Sequence, residues 1–277
     1  MRIISRNTLL CTITLLITLA VLYVIAMQPL SEARALTILF EDYNRSHKQA
    51  IWHHIPFDAH NTSDGFWEKK TGIVSTVLFQ SYTEQNKHKI FLLTQTRSAD
   101  VPYDCHACAP LLSAFVFVKK HIWSSWQLEA QNRFLTYADE YGTPPVAKLI
   151  RIGADKYGLL LNHTYHGNGV EHAISIVAPY HHQINVAYHE STSQNNFDDC
   201  GDLLPCTALT ASWQWASTNT SHFYTLQIKR LGTINDSKQD NKIHPVDEDL
   251  YYQLQKGIYV LVKRYATTDH FYRQTTS

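Results

Sequence analysis

The chain lacks a net charge: Lys plus Arg is 24 and Asp plus Glu is 24 over 277 residues. That balance excludes broad electrostatic attraction to nucleic acid or anionic lipid as the main business of the protein. No nucleic-acid partner is expected. Charged residues are also few, at 17 %, against 44 % for the apolar and aromatic set, a proportion that excludes disorder over most of the chain. The usual catalytic signatures are missing. There is no G-x-S-x-G elbow, no H-E-x-x-H, no Gly-rich phosphate loop and no D-x-[DN]-x-[DN]-G calcium loop. No cofactor is implied, and no fixed-period repeat is evident.

One long apolar run is present. LLCTITLLITLAVLYVIAM, from Leu9 to Met27, carries no charge and follows Arg2 and Arg6. As a helix it would extend about 28 Å, the thickness of a bilayer's hydrocarbon core. The expectation is a single membrane span over 9–27, with residues 1–8 cytoplasmic and the body outside the cytoplasm, periplasmic or extracellular. Ala33-Arg34-Ala35 matches the small-x-small rule for a cleavage site, so a secreted form starting after Ala35 is the alternative. Residues 28–70 read as a stalk and loop, with Leu36, Leu39, Phe40 and Tyr43 at helical spacing in a segment running to Trp52.

Beyond Gly72 the pattern alternates. Leu209, Ala211, Trp213 and Trp215 interleave with polar neighbours, as do Tyr224, Leu226 and Ile228, which predicts half-buried strands. AFVFV (114–118), LLL (159–161), ISIV (174–177) and IYVLV (258–262) are apolar on both faces and predict central strands covered on two sides. KKHIWSSW reads as a turn with Trp123 or Trp126 packing across it. No stretch here has the helical periodicity of a βαβ crossover. The expected fold is all-β: an antiparallel sandwich, barrel or incomplete propeller over 71–277, with a possible subdivision near 190–207.

Cysteine carries the strongest chemical signal. Of five cysteines, Cys105 and Cys108 form one local pair and Cys200 and Cys206 another. Two structural disulfides are expected, either within each pair or across the pairs. A thiol-redox site at Cys105-His106-Ala107-Cys108 competes with this reading, but the strand-like run after Pro110 offers no helix N-terminus to lower a thiol pKa. Four thiolates around zinc form a further alternative.

Sixteen histidines are many. The loop NHTYHGNGVEH can fold His163, His166 and His172 around its glycines as a metal site, with Glu171 completing it or serving as a base. His181-His182 read as a turn. Trp213 and Trp215 share one strand face and could stack on a sugar ring or a peptide, although core use suits an all-β body better. The functional expectation is therefore a membrane-anchored binding or scaffold module of the cell envelope, its partners another envelope protein or a glycan. A thiol-redox or metal-dependent enzyme is the alternative.

Overall fold

The computed structural model describes residues 18, 28–40, 42–53, 71–99, 110–121, 123–137, 143–167, 169–197, 200, 206–216, 223–236 and 242–266. A helix, α1 (Glu32–Leu39), precedes fourteen strands among the described residues. The Ser31 hydroxyl caps its start by accepting from Arg34 N, and the Phe40 N–H closes its end on the Leu36 carbonyl. The helical spacing seen from Leu36 to Trp52 stops there. Asp42–Asn44 (β1) and Gln49–Trp52 (β2) form a hairpin, because the Asn44 side chain accepts from the backbone N–H of Ser46 and of His47 and turns the chain back.

The remaining strands are three four-stranded antiparallel meanders in succession. The first is β3 (Gly72–Glu84), β4 (Lys87–Ser98), β5 (Leu111–Lys119) and β6 (Gln127–Tyr137). The second is β7 (Val146–Gly153), β8 (Lys156–Gly167), β9 (Gly169–Tyr180) and β10 (Gln183–Asn195). The third is β11 (Ala208–Ala216), β12 (Thr225–Asp236), β13 (Lys242–Gln255) and β14 (Ile258–Ala266). Among the described residues four hairpins use tight turns with positive φ at non-glycine residues: Lys48 between β1 and β2, Gln85 and Asn86, His181, and Lys256 before Gly257.

All fourteen strands belong to one sheet. The junction is β10. One of its edges pairs with β9; the other is shared by β6, which meets it in parallel at Gln131 and Gln183, and by β11, which pairs with residues 193–195. Asn132 Nδ2 donates to the Ile184 carbonyl at 2.8 Å and strengthens the seam with β6. The expected sandwich, barrel or incomplete propeller is thus corrected. The sheet is continuous through β10, so there are neither two separate sheets nor independent blades, and β1, β7 and β14 remain as edges, so it is not closed into a barrel.

Three buried clusters hold the layers together. Leu36, Leu39 and Phe40 of the α1 segment, with Trp52, cover Val74, Ile90, Leu92, Phe115 and Phe117 on one face of the first meander. Its other face, through Phe91, Leu93, Leu112 and Val116, packs on Leu159, Leu161, Val177 and Ile184 of the second. The second meander then turns Leu160, Ile174, Ile176 and Tyr188 toward Leu226, Ile228, Leu250 and Tyr259 of the third. This stacking explains why β5 is buried at every residue and why 159–161 and 174–177 are covered on both sides. The same reading fails for 258–262: β14 is an outer edge, with Ile258, Val260, Leu261 and Val262 exposed and Tyr259 alone turned inward. Trp126 packs on the first cluster, whereas Trp123 is exposed.

Among the described residues no helix is long and apolar enough to cross a membrane; α1, with 8 residues, is about 12 Å long. The segment 9–27 lies outside the described residues apart from Thr18. A single-pass anchor, and with it the membrane partnership and the membrane-anchored envelope role, therefore has no support among the described residues, and those expectations are withdrawn.

Candidate functional site

The Glu84–Lys87 rung closes the hairpin between β3 and β4, and period-two alternation puts Tyr82, Glu84, Lys87 and Lys89 on one face. Opposite Val116 and Phe117 the register of β6 jumps from Ala130 to Leu128, which leaves Glu129 as the extra residue of a β-bulge. A bulge re-aims its side chain, and here the Glu129 carboxylate reaches Lys89. Lys156, at the start of β8, approaches from the second meander. The result is a chain of alternating charge. Glu129 Oε2 lies 2.6 Å from Lys89 Nζ, Lys89 Nζ lies 3.0 Å from Glu84 Oε2, and Glu84 Oε1 lies 2.8 Å from Lys156 Nζ.

Its inner members are buried, with side-chain exposures of 11 % for Lys89 and 8 % for Glu84, while the outer members keep 28 % for Glu129 and 27 % for Lys156. Burying charges is costly unless each is paired. Both inner groups meet opposite charge on two sides, so the chain holds its own geometry. Beside it the buried Tyr82 ring lies 5.0 Å from that of Tyr157, and the Tyr82 hydroxyl has no hydrogen-bond partner among the described residues. Burial, with the neighbouring Glu84 and Glu129 charges, pushes this phenol's pKa well up.

The four charged groups, but not Tyr82, line a half-open cavity of about 430 Å³. Lys87, Tyr157, Tyr180, His181 and Phe223 complete much of its wall. Phe223 is brought there by a bridge to Gly153 and by Tyr224 N donating to the Ile152 carbonyl at 2.8 Å, so the cavity draws on residues from all three meanders. The size falls within the range of small-molecule sites, and the wall combines aromatic faces with fixed charges.

The histidines arrange themselves differently from the expected metal site. His163 is buried at 3 %, and Ser175 Oγ lies 2.9 Å from both His163 Nε2 and His189 Nδ1, so one hydroxyl bridges two imidazoles across β8, β9 and β10. In the ladder between β8 and β9, His163 is opposite Ala173 and Thr164 opposite His172. Adjacent rungs face opposite ways, so His163 and His172 project from opposite faces of the meander, and His172 is instead held by Thr164 Oγ1 at 3.2 Å. The His166 side chain lies outside the described residues. Glu171 accepts from the Ser191 hydroxyl. No group of three metal-ligating side chains occurs among the described residues, so the metal-dependent alternative is withdrawn. Ser175 is 2 % exposed and cannot meet a substrate from solvent.

Cys200 and Cys206 are bonded to each other, with Cα atoms 4.8 Å apart, which rules out cross-links from this pair to the other. Cys105 and Cys108, with the redox reading built on them, lie outside the described residues. Trp213 and Trp215 are half-buried, 5.7 Å apart, and pack against the third cluster, where the Trp215 ring lies 6.2 Å from that of Tyr259. The sequence reading missed Glu84, Lys89, Glu129 and Lys156. Their only local signal was charge at strand ends, which is also what solvated hairpins show. No protein-family model, no curated protein and no solved structure matches this chain.

Proposed function

We propose that the chain is a binding domain for a small polar solute, held in the cavity lined by the first and second meanders and by Phe223 of the third. The observation that supports this reading is the ion chain from Glu129 to Lys156: it fixes charged groups in the wall of a ligand-sized cavity and leaves its two ends accessible. Groups whose positions are set before the ligand arrives lose little freedom on binding, which is how a small cavity achieves useful affinity. Two-dimensional amide NMR of the protein, titrated with a panel of small organic acids, amines and amino-acid derivatives, tests it. Shifts confined to residues around Glu84, Lys89, Glu129, Lys156 and Tyr180, and lost in Lys156→Gln, are expected. A panel that leaves these amides unmoved at millimolar concentration, or moves only distant ones, refutes the assignment.

A further inference from the structure

We infer that the solute is a short peptide of two or three residues with both termini free, its ammonium at Glu129 and its carboxylate at Lys156. This rests on the binding role just proposed for the cavity.

The inner charges have little left to offer. Lys89 has a carboxylate on either side, and each oxygen of Glu84 is taken by a different ammonium. The outer charges are different. Glu129 engages Lys89 through Oε2, and Lys156 engages Glu84, so each retains hydrogen-bonding capacity and roughly a quarter of its side chain is exposed. A chain alternating in sign from a carboxylate end to an ammonium end has a net dipole. An anion meets attraction at Lys156 and at Lys87, which also lines the wall, but repulsion at Glu129, whereas a ligand with opposite charges at its two ends, lying antiparallel to the chain, satisfies both ends.

Length narrows the class. Contacts of 2.6, 3.0 and 2.8 Å in series, together with the width of the Glu84 carboxylate, separate the two ends by up to about 10 Å. A single α-amino acid, whose charged groups lie about 3 Å apart, does not reach the full extent of that range. An extended chain rises about 3.3–3.6 Å per residue, so two or three residues reach it. The rings of Tyr157, Tyr180 and Phe223 supply apolar wall for the side chains between.

Calorimetric titration with tri-L-alanine, its N-acetyl form, its C-terminal amide and free L-alanine tests the assignment on the intact protein. Tri-L-alanine is expected to bind at least about tenfold more tightly than each of the other three, since each lacks one terminal charge or the span. In Lys156→Gln the free peptide and its amide should bind alike, and in Glu129→Gln the free peptide and its N-acetyl form should. The comparison of peptides on the unaltered protein does not depend on either variant folding. Equal binding of blocked and free peptides overturns the zwitterion while leaving the cavity a binding site. Binding of none of the four overturns the peptide class, and the amide shifts produced by other solutes then decide the binding role separately.

Discussion

Raising the pH should unfold this protein abruptly, and three tyrosines set where. Tyr82, Tyr188 and Tyr259 are 9 %, 7 % and 5 % exposed. Burial pushes all three phenols above the ordinary tyrosine range; Glu84 and Glu129 add to this at Tyr82, and Glu190, which accepts the Tyr188 hydroxyl at 3.0 Å, adds to it at Tyr188. A phenol with a folded pKa above its unfolded value of about 10 keeps its proton in the fold and loses it when unfolded. Its contribution to stability is complete below about pH 10 and declines as pH rises toward the folded value, by about 1.4 kcal/mol per pH unit. At about pH 11.5 each of the three has forfeited about 2 kcal/mol. The sum, about 6 kcal/mol, is comparable with the whole stability of an ordinary domain. Tyrosinate absorbance followed alongside tryptophan fluorescence should show a group of phenols ionising late and together with loss of the fold, between about pH 11 and 12. Tyr259→Phe removes one of the three contributions at a hydroxyl without a hydrogen-bond partner among the described residues, and should raise the midpoint by about 0.7 pH unit. Smooth ionisation of all sixteen tyrosines near pH 10 with the fold intact would refute the argument.

Cys200→Ser opens a loop whose ends are six residues apart and should cost about 2 kcal/mol in urea unfolding; an unchanged midpoint would show that the bond constrains nothing. Gly232→Ala places a Cβ 2.1 Å from the Ala208 carbonyl oxygen at a φ of 142°, and should cost at least about 2 kcal/mol, with a change below about 0.5 kcal/mol counting against the close approach. Arg133 lies 5.6, 5.5 and 5.9 Å from the Phe40, Trp52 and Phe115 rings, and its Nη2 donates to the Leu39 carbonyl at 3.0 Å. Arg133→Met should cost about 2 kcal/mol and strip hydrogen-exchange protection from α1 first; uniform protection across α1 and β5 in the variant would contradict that role.

Local features were legible in the sequence and non-local ones were not. The alternation in β11 and β12 predicted half-buried strands because one face of each meets the third cluster and the other meets water, where Gln214 donates to Gln227. That Cys200 and Cys206 form disulfide was legible because both border one break in the pattern. That they bond to each other was not, since pairing within and across the two cysteine pairs stayed open until the structure joined them. By contrast, IYVLV and AFVFV carry the same apolar pattern, yet one strand is an exposed edge and the other is buried throughout; the difference is the layer stacked on top, which no local window contains. The hairpin at 42–52 was hidden because its apolar residues coincide with helical spacing. Glu129 was hidden for a similar reason: it reaches Lys89 through a bulge whose position depends on β5. The turn at Gln85-Asn86 uses positive φ without glycine, so the usual punctuation was absent, whereas the turn at His181 stands where the adjacent His181 and His182 read as one.

The seam at β10 also has a consequence for synthesis. The chain emerges from its amino end, and β6 pairs at Gln131 with a residue, Gln183, that arrives only after the whole of β7, β8 and β9. Until then a nascent first meander has an open edge at β6 and an uncovered apolar face at Phe91, Leu93 and Val116. Unpaired edges and exposed apolar faces are what partly made proteins aggregate through. A pause in translation between residues 137 and 183 would prolong that exposure, whereas a pause after Asn195 would find the first two meanders already joined.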